Sequence, residues 1–194
     1  MKKIASAAAG LASLAWLAWL ALLAFLSGCG PQASIPQGVQ VYFSPKGGAT
    51  EAVVSALEHA TNTVLVQAYS FSSAPIAQAL VAARRRGVQV TVILDKGQRT
   101  EKYSAADFLA HNNIPTLIDA QHAIAHNKIM IIDGYLVLTG SFNFTEAAEE
   151  KNAENLLVIN DPVLAGKYLE NWQAHEQHSE PYARDYPKPE RPGR

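Results

Sequence analysis

The chain has 194 residues, 17% of them charged, a formal net charge of −1 and a single cysteine. That length suits one domain with one core, and a lone cysteine excludes a disulfide within the chain. The near-neutral balance excludes the strongly basic composition of a dedicated nucleic-acid binder, so any phosphate-recognising surface is local.

At the N-terminus, Lys2 and Lys3 precede an uncharged run from Ile4 to Leu26, which leads into Ser27-Gly28-Cys29. A basic start, an apolar stretch and small residues at a cleavage point describe a secretory signal. The cleavage point resembles the lipobox of bacterial lipoproteins. That implies lipidation of Cys29 and a membrane-anchored lipoprotein on the periplasmic side of the cell envelope. The rival reading is an uncleaved transmembrane helix, because about 20 apolar residues span a bilayer. Both tether the domain outside the cytoplasm, and removal of Lys2 and Lys3 with the signal would leave a net charge of −3. Residues 30–38, rich in breakers and small polar groups, read as a tether. Residues 179–194, rich in proline and charge, read as a flexible tail. The folded domain is expected over 39–178.

Val39 to Pro45 reads as a strand stopped by Pro45 and Gly47-Gly48. Thr50 to Ala60 has apolar Val53, Ala56, Leu57 and Ala60 at helical spacing, with Thr50 as a plausible cap. A β-branched run from Thr61 to Phe71 reads as a buried strand. Ala74 to Gly87 reads as a helix, with Pro75 in its first turn and Gly87 as the stop. Val88 to Asp95 is a second buried strand, Ser104 to Asn113 a helix capped by Ser104, and Ile114 to Asp119 a short strand. Lys128 to Asp133 and Tyr135 to Ser141 form a hairpin around Asp133-Gly134. Asn155 to Asp161 adds a strand, and Pro162 to His178 a closing helix. The alternation predicts an α/β fold: a mixed, mostly parallel sheet flanked by helices on both faces.

The hairpin concentrates chemistry. His126 and Lys128 are two apart and share a face at the start of one strand. Ser141 and Asn143 stand at the end of its antiparallel partner, so the turn folds all four groups to one end of the sheet. A cation, an amide and a hydroxyl suit phosphate oxygens, with an imidazole facing phosphorus. Asp133 sits at the turn end, away from the others, and reads as structural.

His126-x-Lys128, four residues, Asp133, six residues, then Gly140-Ser141-x-Asn143 matches the HKD motif of the phospholipase D superfamily at every position. The continuation from Phe144 to Ile159 resembles the short bacterial endonucleases of that superfamily, and the likeness spans roughly Val39 to His178. It implies that His126 attacks phosphorus to form a phosphohistidine while a second histidine serves as acid, then base. Lys128 and Asn143 would hold the non-bridging oxygens without a metal or other cofactor. Ser141 would support the phosphate, and Glu154 would orient the His126 imidazole. Longer members carry two such motifs. This chain carries one, which implies a homodimer with two copies of His126 across a two-fold axis.

The implied activity is metal-independent phosphodiester hydrolysis, foremost by a nonspecific endonuclease on DNA or RNA. The alternative is a phospholipase D acting on lipid headgroups; a non-catalytic envelope binding module fits an intact motif poorly. The remaining histidines, His59, His111, His175 and His178, read as surface or satisfied core groups. His122 and His126, spaced H-x3-H near Asp119, form the weaker metal-ligand reading. Arg84-Arg85-Arg86 fits either the negative end of its helix or a phosphate patch. Trp172, near Tyr168 and Leu169, reads as core packing.

Overall fold

The computed structural model describes residues 38–183. The signal or anchor with Cys29, the tether up to residue 37 and the tail from residue 184 lie outside the described residues. The β-branched runs form the strands β1 (Val39–Phe43), β2 (Thr63–Ala68), β3 (Gln89–Asp95), β4 (Thr116–Asp119), β5 (Lys128–Ile132), β6 (Leu136–Gly140) and β7 (Asn155–Asn160). A two-residue β8 (Glu180–Pro181) follows, inside the segment expected as tail. The helices are α1 (Ala49–Glu58), α2 (Ala74–Arg85), α3 (Ala106–His111), α4 (Glu146–Glu150) and α5 (Pro162–His178), with a 3-10 turn at Lys96–Arg99.

The eight strands form one sheet in the order β1-β7-β6-β5-β2-β3-β4-β8. Only β2–β3 and β3–β4 pair in parallel; β1–β7, β7–β6, β6–β5, β5–β2 and β4–β8 are antiparallel. The mostly parallel sheet expected from the sequence is therefore corrected to a mostly antiparallel one. The reason lies in the connections. Parallel neighbours need a crossover, usually helical, and α2 and α3 supply the two that exist. After β4 the chain has no such helix; it enters β5 against β2 and turns straight back through Asp133-Gly134. Both turn residues have positive φ, 51° and 72°, as a type I′ hairpin turn requires.

The pleat divides the apolar side chains between two cores. Val64, Val66, Val90, Val92, Met130 and Ile132 face Val53 and Leu57 of α1, Ile76 and Leu80 of α2 and Leu109 of α3. Ile93, Ile129, Ile131 and Val137 face Ala165 and Trp172 of α5. Helices thus cover both faces, as expected. Trp172 is core packing, and its indole N–H donates to Val66 O at 3.0 Å. Among the described residues no helix is long and apolar enough to cross a membrane.

Several predicted helix ends hold. Pro75 lies in the first turn of α2, and the Asp161 carboxylate accepts from the amides of Val163 and Leu164 to start α5. Thr50 is not the cap of α1. The buried Glu149 carboxylate takes that role from α4, accepting from Gly48 N at 3.1 Å and Thr50 N at 2.7 Å. Ser104 accepts from Ala106 N at 3.2 Å, just ahead of α3. Arg86 donates to the carbonyls of Leu57 and Ala60 and so ties the end of α1 to α2.

Candidate active site at the open end of the hairpin

Strand register gathers the candidate groups. Lys128 pairs with Ala68, Gly140 with Leu156, and Asn155 with Phe43. The start of β5, the ends of β1, β2 and β6, and the start of β7 therefore share one end of the strands. Asp133 lies at the opposite end of the strands. Its carboxylate accepts from the amides of Thr61, Asn62 and Thr63 and from the Thr61 hydroxyl, all at 2.8–2.9 Å. Burial works against its charge, but the amides of Thr63, Thr61 and Asn62 outweigh that and hold the carboxyl below its usual range.

His126 is presented by a pinned loop. Ala125 N donates to Asp95 Oδ2 at 2.8 Å, Asn127 Nδ2 donates to Gln67 Oε1 at 2.9 Å, and Tyr69 N donates to Asn127 O at 2.8 Å. Between these ties His126 is exposed, and its ring lies 4.5 Å from the ring of Tyr69. Among the described residues the imidazole makes no hydrogen bond, so its nitrogens are available to a ligand. Lys128 is buried. Its ammonium donates to His126 O at 2.8 Å and lies 4.9 Å from the Tyr69 ring centroid. Burial lowers the Lys128 pKa, and the negative charge of Glu154 partly opposes this. A desolvated cation is a strong partner for an incoming phosphate.

The other strand supplies the amide and the hydroxyl. Gly140 approaches β7 so closely that a Cβ there would lie 2.2 Å from Asn155 O; only glycine permits that contact. Ser141 Oγ accepts from Asn155 N at 3.0 Å and from Asn155 Nδ2 at 3.2 Å, which leaves its own proton to donate. Asn143 stands between the buried Phe142 and Phe144, and Phe144 O is held by the amides of Ser72 and Ser73 at 2.9 Å. The Asn143 Oδ1 is buried and has no hydrogen-bond partner among the described residues. That oxygen is an acceptor and so awaits a donor, whereas the Asn143 Nδ2 is the atom that can donate to a phosphate oxygen.

Glu154 does not reach His126 by any hydrogen bond within the chain. Its carboxylate accepts from Asn152 Nδ2 at 3.2 Å, and its backbone is tied to Ser44 at 3.1 Å in both directions. Its negative charge favours the charged form of Lys128. The H-x3-H pair separates: His126 turns to Tyr69, whereas His122 turns to Asp119. His175 and His178, read from sequence as surface or satisfied core groups, join His122 there. His59 and His111 do fit the structural reading, each bonded at 2.7 Å to the carbonyl four residues before it. Sequence reasoning missed Tyr69, Asp95 and Gln67. The only signal was their place at or just beyond strand ends, since tyrosine, aspartate and glutamine are common in such positions.

Residues 53–175 match the family described as "Cardiolipin synthase, PLD-like domain". A protein named phospholipase D from Rickettsia typhi is 43% identical over 143 residues, which cover 72% of this chain and 70% of that protein. Among solved structures, a phospholipase D family member, Nuc from Salmonella typhimurium, superposes with a TM-score of 0.71 at 44% identity, covering 74% of this chain and 97% of that one. NucT from Helicobacter pylori shares the fold, with a TM-score of 0.70 at 24% identity and coverages of 74% and 98%.

Proposed function

The chain belongs to the phospholipase D superfamily and is a phosphodiester hydrolase of that superfamily; we propose that it is a nonspecific endonuclease acting on DNA or RNA through a phosphohistidine at His126. One observation carries the reading: the exposed His126 imidazole makes no hydrogen bond, and the ammonium of the buried Lys128 is held at its carbonyl at 2.8 Å.

In the first step a ring nitrogen of neutral His126 attacks phosphorus. The P–N bond forms as the P–O bond to the leaving group breaks, and a protonated second imidazole gives its proton to the departing oxygen. That imidazole then removes a proton from water. The water oxygen attacks phosphorus and the P–N bond breaks, regenerating His126. Lys128 and Asn143 hold the charge on the non-bridging oxygens through both steps, and the Ser141 hydroxyl donates to the same phosphate. Glu154 is proposed to orient the His126 imidazole, although its carboxylate is bonded to Asn152 Nδ2 and not to that ring in the free chain. No step calls for a metal.

The second imidazole is assigned to His126 of a second copy. The chain has six histidines. His59 and His111 bond their own helices, and His122, His175 and His178 gather around Asp119. None is paired with His126. Ile124, 57% exposed two residues before it, offers apolar surface for such an interface.

The nucleolytic reading is supported by the 44% identity to Nuc over nearly the whole of that chain. Headgroup cleavage is the second reading, favoured by the relative named phospholipase D and by the N-terminal segment. That segment, with its lipobox-like Cys29, is proposed to hold the enzyme at the cell envelope. The full chain is to be offered plasmid DNA, RNA and phosphatidylcholine vesicles in parallel, each with and without EDTA. Nicking of the nucleic acids is expected. Headgroup release alone would replace the nuclease by the lipase, and no cleavage of any substrate would defeat both.

A further inference from the structure

Three imidazoles converge on one buried carboxylate away from the phosphate site. Asp119 ends β4 and is fully buried. Its Oδ2 accepts from His175 Nδ1 at 2.8 Å and from His122 Nδ1 at 3.0 Å. His178 Nε2 lies 3.3 Å from Oδ1, yet it is buried and not aligned for a hydrogen bond. The rings crowd one another, with centroids 4.8, 5.2 and 5.4 Å apart.

We propose that Asp119, His122, His175 and His178 form a closed site for a divalent zinc-class ion. The four ligand atoms lie within 4.8 Å of one another. A tetrahedral ion with bonds of about 2.0–2.1 Å needs neighbouring ligands about 3.3 Å apart, so a contraction on the scale of side-chain rotation completes it. Three imidazole nitrogens and one carboxylate oxygen suit zinc and its neighbours rather than magnesium or calcium, which prefer all-oxygen cages. The unbonded His178 nitrogen, costly when buried without a partner, becomes a ligand.

Local structure supports this use. His175 and His178 are three apart in the last turn of α5 and so share a helix face. His122 follows Asp119 by three residues, and its carbonyl accepts from the Lys96 ammonium at 3.0 Å. His175 O accepts from the Ser179 hydroxyl at 2.7 Å. These bonds hold the backbone that carries two of the ligands.

Four protein ligands leave no open position, so the ion is structural. It clips the end of α5 to β4 and to the loop that runs on to His126. The sheet order places β4 three strands from β5, about 14 Å at ordinary strand spacing. The ion therefore takes no part in phosphoryl transfer, and the site stands whatever the enzyme's substrate.

The test uses the full chain, stripped with a chelator and titrated with Zn(II), and separately with Co(II) as a spectroscopic probe. One ion per chain is expected, with the intense visible absorption of tetrahedral cobalt. At free zinc about 100 times Kd, melting should rise by roughly 5–10 °C. His122→Ala and His178→Ala should each weaken binding at least about 100-fold, while His126→Ala leaves it unchanged. The His122 side chain is 44% exposed, so its removal tests the site without emptying the core. Weak octahedral cobalt spectra, affinity unchanged in both variants, or loss of zinc with His126→Ala would each overturn the assignment.

Discussion

The Tyr69 ring lies 4.5 Å from the His126 imidazole, tilted by 56°, and only the antiparallel pairing of β2 with β5 brings these two residues together. The same ring lies under the Lys128 ammonium, so one aromatic wall aligns the nucleophile and the cation. Its hydroxyl has no part in that contact. Tyr69→Phe is therefore expected to keep near-wild-type turnover. Tyr69→Ala should lose on the order of 10-fold in kcat/KM, reflecting a cation–π contact of about 0.5–1 kcal/mol plus lost alignment. Equal losses in both variants would show that the hydroxyl, not the ring face, matters.

Removing the chemistry itself should cost far more. His126→Ala is expected to abolish cleavage with the fold intact by circular dichroism. Lys128→Ala and Asn143→Ala should each lower kcat by about 10²–10³, the scale of losing one donor to a charged transition state. Rapid-quench mass spectrometry should find the phosphoryl adduct on the His126 peptide. An adduct on another residue would move the nucleophile elsewhere.

Lys128 should lose its charge more readily than an ordinary lysine. Burial pulls its pKa below 10.5, against the partial opposition of Glu154, so the cation is lost at lower pH than on an ordinary lysine. The mechanism also loses its protonated imidazole as pH rises, so a rate profile does not isolate Lys128 and the ammonium is followed directly. An NMR titration of the Lys128 side chain in the free enzyme should give a midpoint below 10.5, and bound phosphate should raise it, because phosphate favours the charged form. Tyr69→Phe should leave the midpoint in place. A midpoint at or above 10.5 would contradict the buried-cation account.

Asp133 should matter to stability rather than to turnover. Its folded pKa lies below the ordinary 3.8, so its contribution is fully present above that value and is lost as pH falls through the folded pKa. Asp133→Ala is expected to cost about 2–3 kcal/mol at neutral pH, since it frees three amides that had a charged acceptor. Denaturant unfolding across pH should show the gap between variant and wild type narrowing below 3.8. A kcat effect without a stability effect would make Asp133 part of the active site.

Much of this was legible in the chain. Strand and helix periodicity located β1 to β7 and four of the five helices, and the Asp133-Gly134 turn fixed the hairpin that sets the start of β5 beside the end of β6. The direction of pairing was not legible. Buried strands read alike whether their neighbours run with or against them, and β1 meets β7 across more than a hundred residues of sequence. Helix α4 escaped because five residues are too few for a periodic signal, and with it went Glu149 as the cap of α1. The grouping of His122 with His175 and His178 also needed the fold. Two of these histidines lie some fifty residues along the chain from the third, and only the packing of α5 beside β4 unites them.

Two copies of His126 are proposed to complete one site, and subunit mixing tests this most directly. Wild-type chains are exchanged with His126→Ala chains at fixed total concentration, and activity is measured against the wild-type fraction. A site that needs both imidazoles loses all function in the mixed dimer, so activity should follow the square of that fraction. A straight line, or full activity from a monomer in solution, would contradict the shared site and assign the acid to another residue.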